Sequence, residues 1–133
     1  MSSELKGAFT GRQYVAGSMQ ELNFAEDLVV GDTPLGTLPE GAVITSGWFQ
    51  TVTGGSITGL LETELRDPVS GAVFDVLTTG DPNITGKADI TITGIPTTMA
   101  YDIVATNTVL QTAGDGYLHL EYIVSGRSQF SEG

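Results

Sequence analysis

Apolar and polar residues alternate in short runs along most of this chain. Between residues 58 and 66, Leu61, Thr63 and Leu65 fall on one side of an extended backbone, and Glu62, Glu64 and Arg66 fall on the other. A period of two predicts a half-buried antiparallel strand with a solvated face. Residues 117–124, YLHLEYIV, repeat the pattern, with Leu118, Leu120, Tyr122 and Val124 opposite Tyr117, His119, Glu121 and Ile123. Residues 88–93, ADITIT, place Ile90 and Ile92 inward. A longer β-branched and aromatic run over residues 42–53 follows the turn Pro39-Glu40-Gly41 and carries the single Trp, Trp48. Its length suits a central strand, and a Trp at mid-strand reads first as packing. Residues 72–77 add a strand, and residues 99–112 add one strand or two with a bulge.

Residues 19–30, MQELNFAEDLVV, fit both periods. Leu22, Ala25, Glu26 and Val29 match a short helix, while Leu22, Phe24, Leu28 and Val30 match an irregular strand. The Val-Val pair before Gly31-Asp32-Thr33-Pro34 favours a strand ended by a turn. Further breaks come at Thr53-Gly54-Gly55-Ser56, at Asp67-Pro68-Val69-Ser70-Gly71, along the loop at 78–87, and at Gly94-Ile95-Pro96. Ala113-Gly114-Asp115-Gly116 reads as a hairpin turn, with 117–124 as the return strand. Residues 1–20 read as a flexible arm with one short strand at Gln13-Tyr14-Val15, and residues 21–133 as a single domain. Seven to nine strands without intervening helices predict an all-β fold, an antiparallel β-sandwich of jelly-roll or related Greek-key topology.

Composition narrows the function. The 133 residues suit one domain with a core of its own. Five Lys and Arg face 16 Asp and Glu, for a net charge of −11. Too few cations are present to neutralise phosphates, so nucleic acid and anionic membranes are disfavoured as partners. The absence of Cys excludes disulfides and thiolate metal sites. The first residues lack the apolar core of a secretory signal, and no run approaches the ~18 apolar residues of a membrane span. The chain is therefore expected to act in the cytosol or to be released without a signal peptide.

Candidate chemistry is sparse. His119, the only histidine, shares a strand face with Tyr117 and Glu121, but no nucleophile can be singled out beside it. Glu62 and Glu64 lie ~7 Å apart along one strand face, a spacing within reach of glycosidase chemistry. Adjacent acids on a strand more often form a solvated surface, and Arg66 is placed to partner Glu64. Asp81, Asn83 and Thr85 match the first half of a calcium loop. The match fails at the twelfth position, Ile92, though Asp75 and Asp89 are near in sequence. Trp48, Phe49, Tyr101, Tyr117 and Tyr122 are candidates for a sugar-stacking platform. No catalytic residue and no cofactor are predicted.

Three segments in order, GTLPEGAVITSGWFQTVT, AVFDVLTTGDPN and GDGYLHLEYIVSGRSQF, resemble small head-decoration, or cement, proteins of tailed bacteriophages. The resemblance implies a jelly-roll-like sandwich on the outside of a capsid, a non-enzymatic structural role, a major capsid protein as partner, and self-association as a dimer or trimer. It implies location in the virion after assembly in the host cytoplasm. The alternative is a carbohydrate-binding or tail-fibre/tail-tip β-module.

Overall fold

The computed structural model describes residues 16–124. The elements follow in the order β1 (Ala16–Asn23), α1 (Phe24–Asp27), β2 (Gly31–Leu38), β3 (Ala42–Thr53), β4 (Leu61–Arg66), β5 (Val73–Gly80), β6 (Gly86–Asp89), β7 (Tyr101–Asn107) and β8 (Asp115–Val124). They build two four-stranded sheets, β1-β8-β3-β6 and β2-β7-β4-β5. Counting from the two ends, each strand pairs antiparallel with its mirror: β1 with β8, β2 with β7, β3 with β6, β4 with β5. One long hairpin has rolled up on itself, and the β3–β8 and β4–β7 pairings close the roll. This is the antiparallel sandwich that the alternation predicts, with jelly-roll connectivity.

The tip of that hairpin is the turn predicted at 67–71. There Asp67 Oδ1 accepts the Val69 and Ser70 backbone N–H groups at 2.8 and 3.1 Å. The inward residues interlock between the sheets. Leu22, Phe49, Leu118 and Leu120 face Leu38, Leu61, Leu65, Leu77, Ile103 and Ala105 in one cluster. Burying a side chain of this size contributes roughly 1.5–3 kcal/mol.

Four expectations are corrected. First, the strand expected over 19–30 ends at Asn23. Asn23 Oδ1 accepts the Ala25 and Glu26 N–H groups, both at 3.1 Å, and Asp27 Oδ2 accepts the Asn23 N–H at 2.6 Å. This cap starts the one-turn helix α1, which buries Phe24 completely. β1 begins at Ala16, so residues 16–20 pair with β8; the short strand expected at Gln13-Tyr14-Val15 lies outside the described residues. Second, Gly31-Asp32-Thr33-Pro34 is the first half of β2, not a turn. β2 is an edge strand, and its ladder with β7 shifts register between Pro34 and Gly36, the setting in which a sheet tolerates Pro.

Third, the strand expected over 88–93 is displaced: β6 is Gly86–Asp89. The Ile90 N–H still bonds the Gly47 carbonyl at 2.9 Å. Ile90 is buried, and a Cβ on Gly47 would lie 2.6 Å from its Cδ1, so Gly47 makes the space it occupies. Ile92, expected inward, is 45% exposed. Fourth, residues 113–116 do not close a hairpin. β7 and β8 lie in different sheets, so this segment crosses the sandwich. Gly114 (φ +102) permits the crossing, because a Cβ there would meet Phe24 Cδ2 at 2.7 Å and Gly55 Cα at 2.8 Å.

Candidate functional site: the loop end and the outer sheet faces

Four connections gather at one end of the sandwich: 24–30, 54–60, 81–85 and 108–114. Each passes from one sheet to the other. They are tied together by hydrogen bonds. The Gln111 side chain is 1% exposed. Its Oε1 accepts the Ser56 and Ile57 N–H groups at 2.8 and 3.2 Å, and its Nε2 donates to the Ile57 and Val109 carbonyls at 2.9 and 3.3 Å. Gly55 N–H donates to the Pro82 carbonyl at 2.7 Å, and Phe24 N–H to the Gly114 carbonyl at 2.9 Å. Leu60 N–H donates to Thr108 Oγ1 at 2.9 Å, and Asn107 Nδ2 to the Val29 carbonyl at 3.3 Å. On this braced end Val29, Val30, Ile57, Leu60, Ile84 and Leu110 are each 40–65% exposed. Segments 54–60 and 108–114 carry no charged residue, although the chain has 16 acids.

The calcium candidates belong to this end. Asp81 Oδ1 accepts the Asn83 N–H at 2.9 Å and the Gly59 N–H at 3.3 Å. Asn83 Nδ2 reaches Thr58 Oγ1 at 3.5 Å, and Thr85 is exposed. Asp81 therefore caps its own turn and braces the neighbouring loop. Asp89 pairs with Lys87 Nζ at 3.6 Å. Among the described residues no three His, Cys, Asp or Glu side chains converge to hold a metal. A cleft of about 210 Å³ opens beside the loop, lined by Phe49, Leu61, Pro82 and Ile84 among others. It falls below the roughly 300–1,000 Å³ usual for organic ligands.

The aromatic set divides between core and surface. Phe49 and Tyr101 are buried in the core cluster, and Tyr122 packs against it. Alternation sends Trp48, Tyr117 and His119 to the outer face of the β1-β8-β3-β6 sheet. Trp48 is half-buried there, outside the core cluster. Its ring lies 4.4 Å from that of His119, and Lys87 Nζ sits 4.3 Å above it. His119 Nε2 also meets Glu121 Oε2 at 3.1 Å. Trp48 thus packs sideways on an outer face rather than in the interior, and the five aromatics form no common platform.

On the other sheet the face expected to be solvated is partly sealed. Glu64 is buried at 5% exposure, and its Oε1 accepts from Arg66 Nε at 2.8 Å. The same guanidinium forks onto Asp32, with contacts of 2.8 and 3.1 Å. Thr106 Oγ1 lies 3.0 Å from Asp32 Oδ1 and 3.3 Å from Glu64 Oε1. The Arg66 hydrogen bonds hold the Asp32 carboxyl below its ordinary value, against a smaller opposing cost of burial. Glu62 points separately to the Thr79 hydroxyl at 3.1 Å. The two glutamates are parts of different contacts rather than a facing acid–base pair.

Among solved structures, a chain from the capsid of Ralstonia phage GP4 superposes with a TM-score of 0.59 at 13% identity, over 85% of both chains. The fold is one found in phage capsids. A chain from the acid-stable capsid of Helicobacter pylori bacteriophage KHP30 gives a TM-score of 0.56 at 15% identity, over 85% of this chain and 94% of that one. A chain from the capsid asymmetric unit of cyanophage Pam1 gives 0.53 at 15% identity, over 84% and 86%. No protein-family model matches the sequence, and the comparison with curated proteins finds no match. The similarity is therefore one of fold. The loop end was missed in the sequence reading, although its signal was present: TGGSITGL and NTVLQTAG are two uncharged, aliphatic-bearing stretches in an acidic chain.

Proposed function

We propose that this chain is a non-enzymatic virion structural protein, a decoration or cement protein that binds the outside of a phage shell and stabilises contacts between capsid subunits. The observation that carries the reading is the shared roll. It spans 84–85% of this chain and 85–94% of three chains from phage capsids, so each of those chains is about as long as this one. The net charge of −11 supports an exterior position, since packaged DNA would repel it. The major capsid protein is the proposed partner, with self-association into a dimer or trimer on the lattice and synthesis in the host cytoplasm. A shell repeats its sites, so modest single contacts add up to durable attachment. The carbohydrate-module alternative has less support, because its aromatic residues divide between core and surface.

Co-sedimentation with expanded shells tests the reading. The protein is expected to pellet with assembled shells and to leave free shell subunits unbound. A protein that stays in the supernatant with both would refute it.

A further inference from the structure

We infer that the loop end is the seat of the molecule: its aliphatic side chains dock on an apolar patch of a shell subunit that is rimmed by Lys or Arg. This rests on the cement reading and names the surface and the partner chemistry within it.

Three observations lead there. The first is rigidity. Gln111 and the other ties hold all four loops without help from a partner, so little ordering cost falls on binding. The second is apolar exposure. Val29, Val30, Ile57, Leu60, Ile84 and Leu110 sit on segments these hydrogen bonds join to one another. Six exposed aliphatic side chains gathered on one braced end exceed the scattered single exposures that are normal on a protein surface.

The third observation is charge, and it selects the occupant. The loops and the residues directly adjoining them include Glu26, Asp27, Asp81 and Asp115, and no Lys or Arg. Four acids thus surround an uncharged centre, and Lys87, two positions beyond the 81–85 loop, is engaged by Asp89 and the Trp48 ring. A second copy would bring four more acids against these, a like-charge contact that costs affinity. A nucleic acid or an anionic lipid would be repelled as well. A protein surface with an apolar centre and a basic rim satisfies both parts of the pattern.

The test compares wild-type protein, the double variant Ile57→Asp with Leu110→Asp, and Val69→Asp. Val69 lies at the opposite end of the roll and is 93% exposed, so it is a surface control. All three are first shown to be folded by their thermal transitions; should the double variant fail to fold, the single substitution Leu110→Asp replaces it. The double variant is expected to bind expanded shells on the order of 100-fold more weakly, as for loss of interface anchors. Val69→Asp is expected to bind as wild type does, and wild-type binding is expected to weaken with added salt. Equal binding by the double variant, loss of binding in Val69→Asp, or insensitivity to salt would each overturn the proposal while leaving the cement reading intact. So would self-association of the free chain that disappears in the double variant, because the occupant would then be a second copy. Failure of wild type itself to pellet is a different pattern: it removes the cement reading, and this seat with it.

Discussion

Arg66 shows how much a single residue can decide. The alternating pattern places Glu62, Glu64 and Arg66 on the outward side of β4, and they are there. Alternation gives direction but not cover. Arg66 folds back over Glu64 and forks onto Asp32, 34 positions earlier in the chain, so an outward carboxylate becomes a buried one. The consequence is a pH dependence. The folded state holds Asp32 below its ordinary value of 3.8. Backbone N–H groups from Ser70 and Val69 do the same for Asp67. A lowered folded value means that the unfolded chain binds more protons across that window. The stabilisation is therefore fully present above about pH 4 and is lost as pH falls through the folded values. Urea midpoints measured from neutral pH down to strongly acidic pH are expected to drop below about pH 4, and Asp32→Asn is expected to flatten part of that drop. An unchanged slope in the variant would mean that Asp32 carries none of it.

Elements with strong alternation and clear turn residues were legible: β3, β4, β8 and the 67–71 turn. β2 was not. Gly31 and Pro34 read as breakers, yet an edge strand with a register shift accommodates them because one side of its ladder needs no partner. The segment at 113–116 shows a different limit. Gly residues signal a change of direction, but whether the chain returns in the same sheet or crosses to the other depends on what packs beneath, here Phe24 against Gly114. The loops depend on Gln111 in the same way. Its amide satisfies four backbone groups from residues 56, 57 and 109, the first two more than 50 positions away. Gln111→Ala is expected to cost about 1–3 kcal/mol, because it leaves those groups without partners. It should also speed amide exchange at Ser56 and Ile57. Denaturant titration and hydrogen exchange check both, and unchanged exchange would show that the loops do not need this brace.

At the scale of the molecule the roll joins the two ends of the described chain: Ala16 lies opposite Tyr122 in the β1–β8 ladder. β8 sits between β1 and β3 and is the one strand among the described residues that β1 pairs with, so β1 cannot be placed before it arrives. Long-range pairing of this kind makes folding slow, on the order of milliseconds to seconds. A chain cut before Asp115 is expected to lose its cooperative thermal transition, since β1 then has no partner strand and the core loses Leu118 and Leu120. A truncated chain that still melts in one sharp step would show that the sheets are more independent than the pairing implies.

The sequence by itself determined the class of fold, the direction of most side chains and the acidic, cysteine-free character that disfavours nucleic-acid and thiolate chemistry. Those properties follow from local periodicity and composition, which need no knowledge of neighbours. Tertiary structure alone decided which Gly turn crosses between sheets, that Glu64 is buried, that Trp48 faces outward beside His119, and that four separate loops meet as one apolar end with an acidic rim. Each of these depends on residues brought together from distant parts of the chain, Asp32 and Thr106 in the case of Glu64, and no short window along the sequence contains the full set.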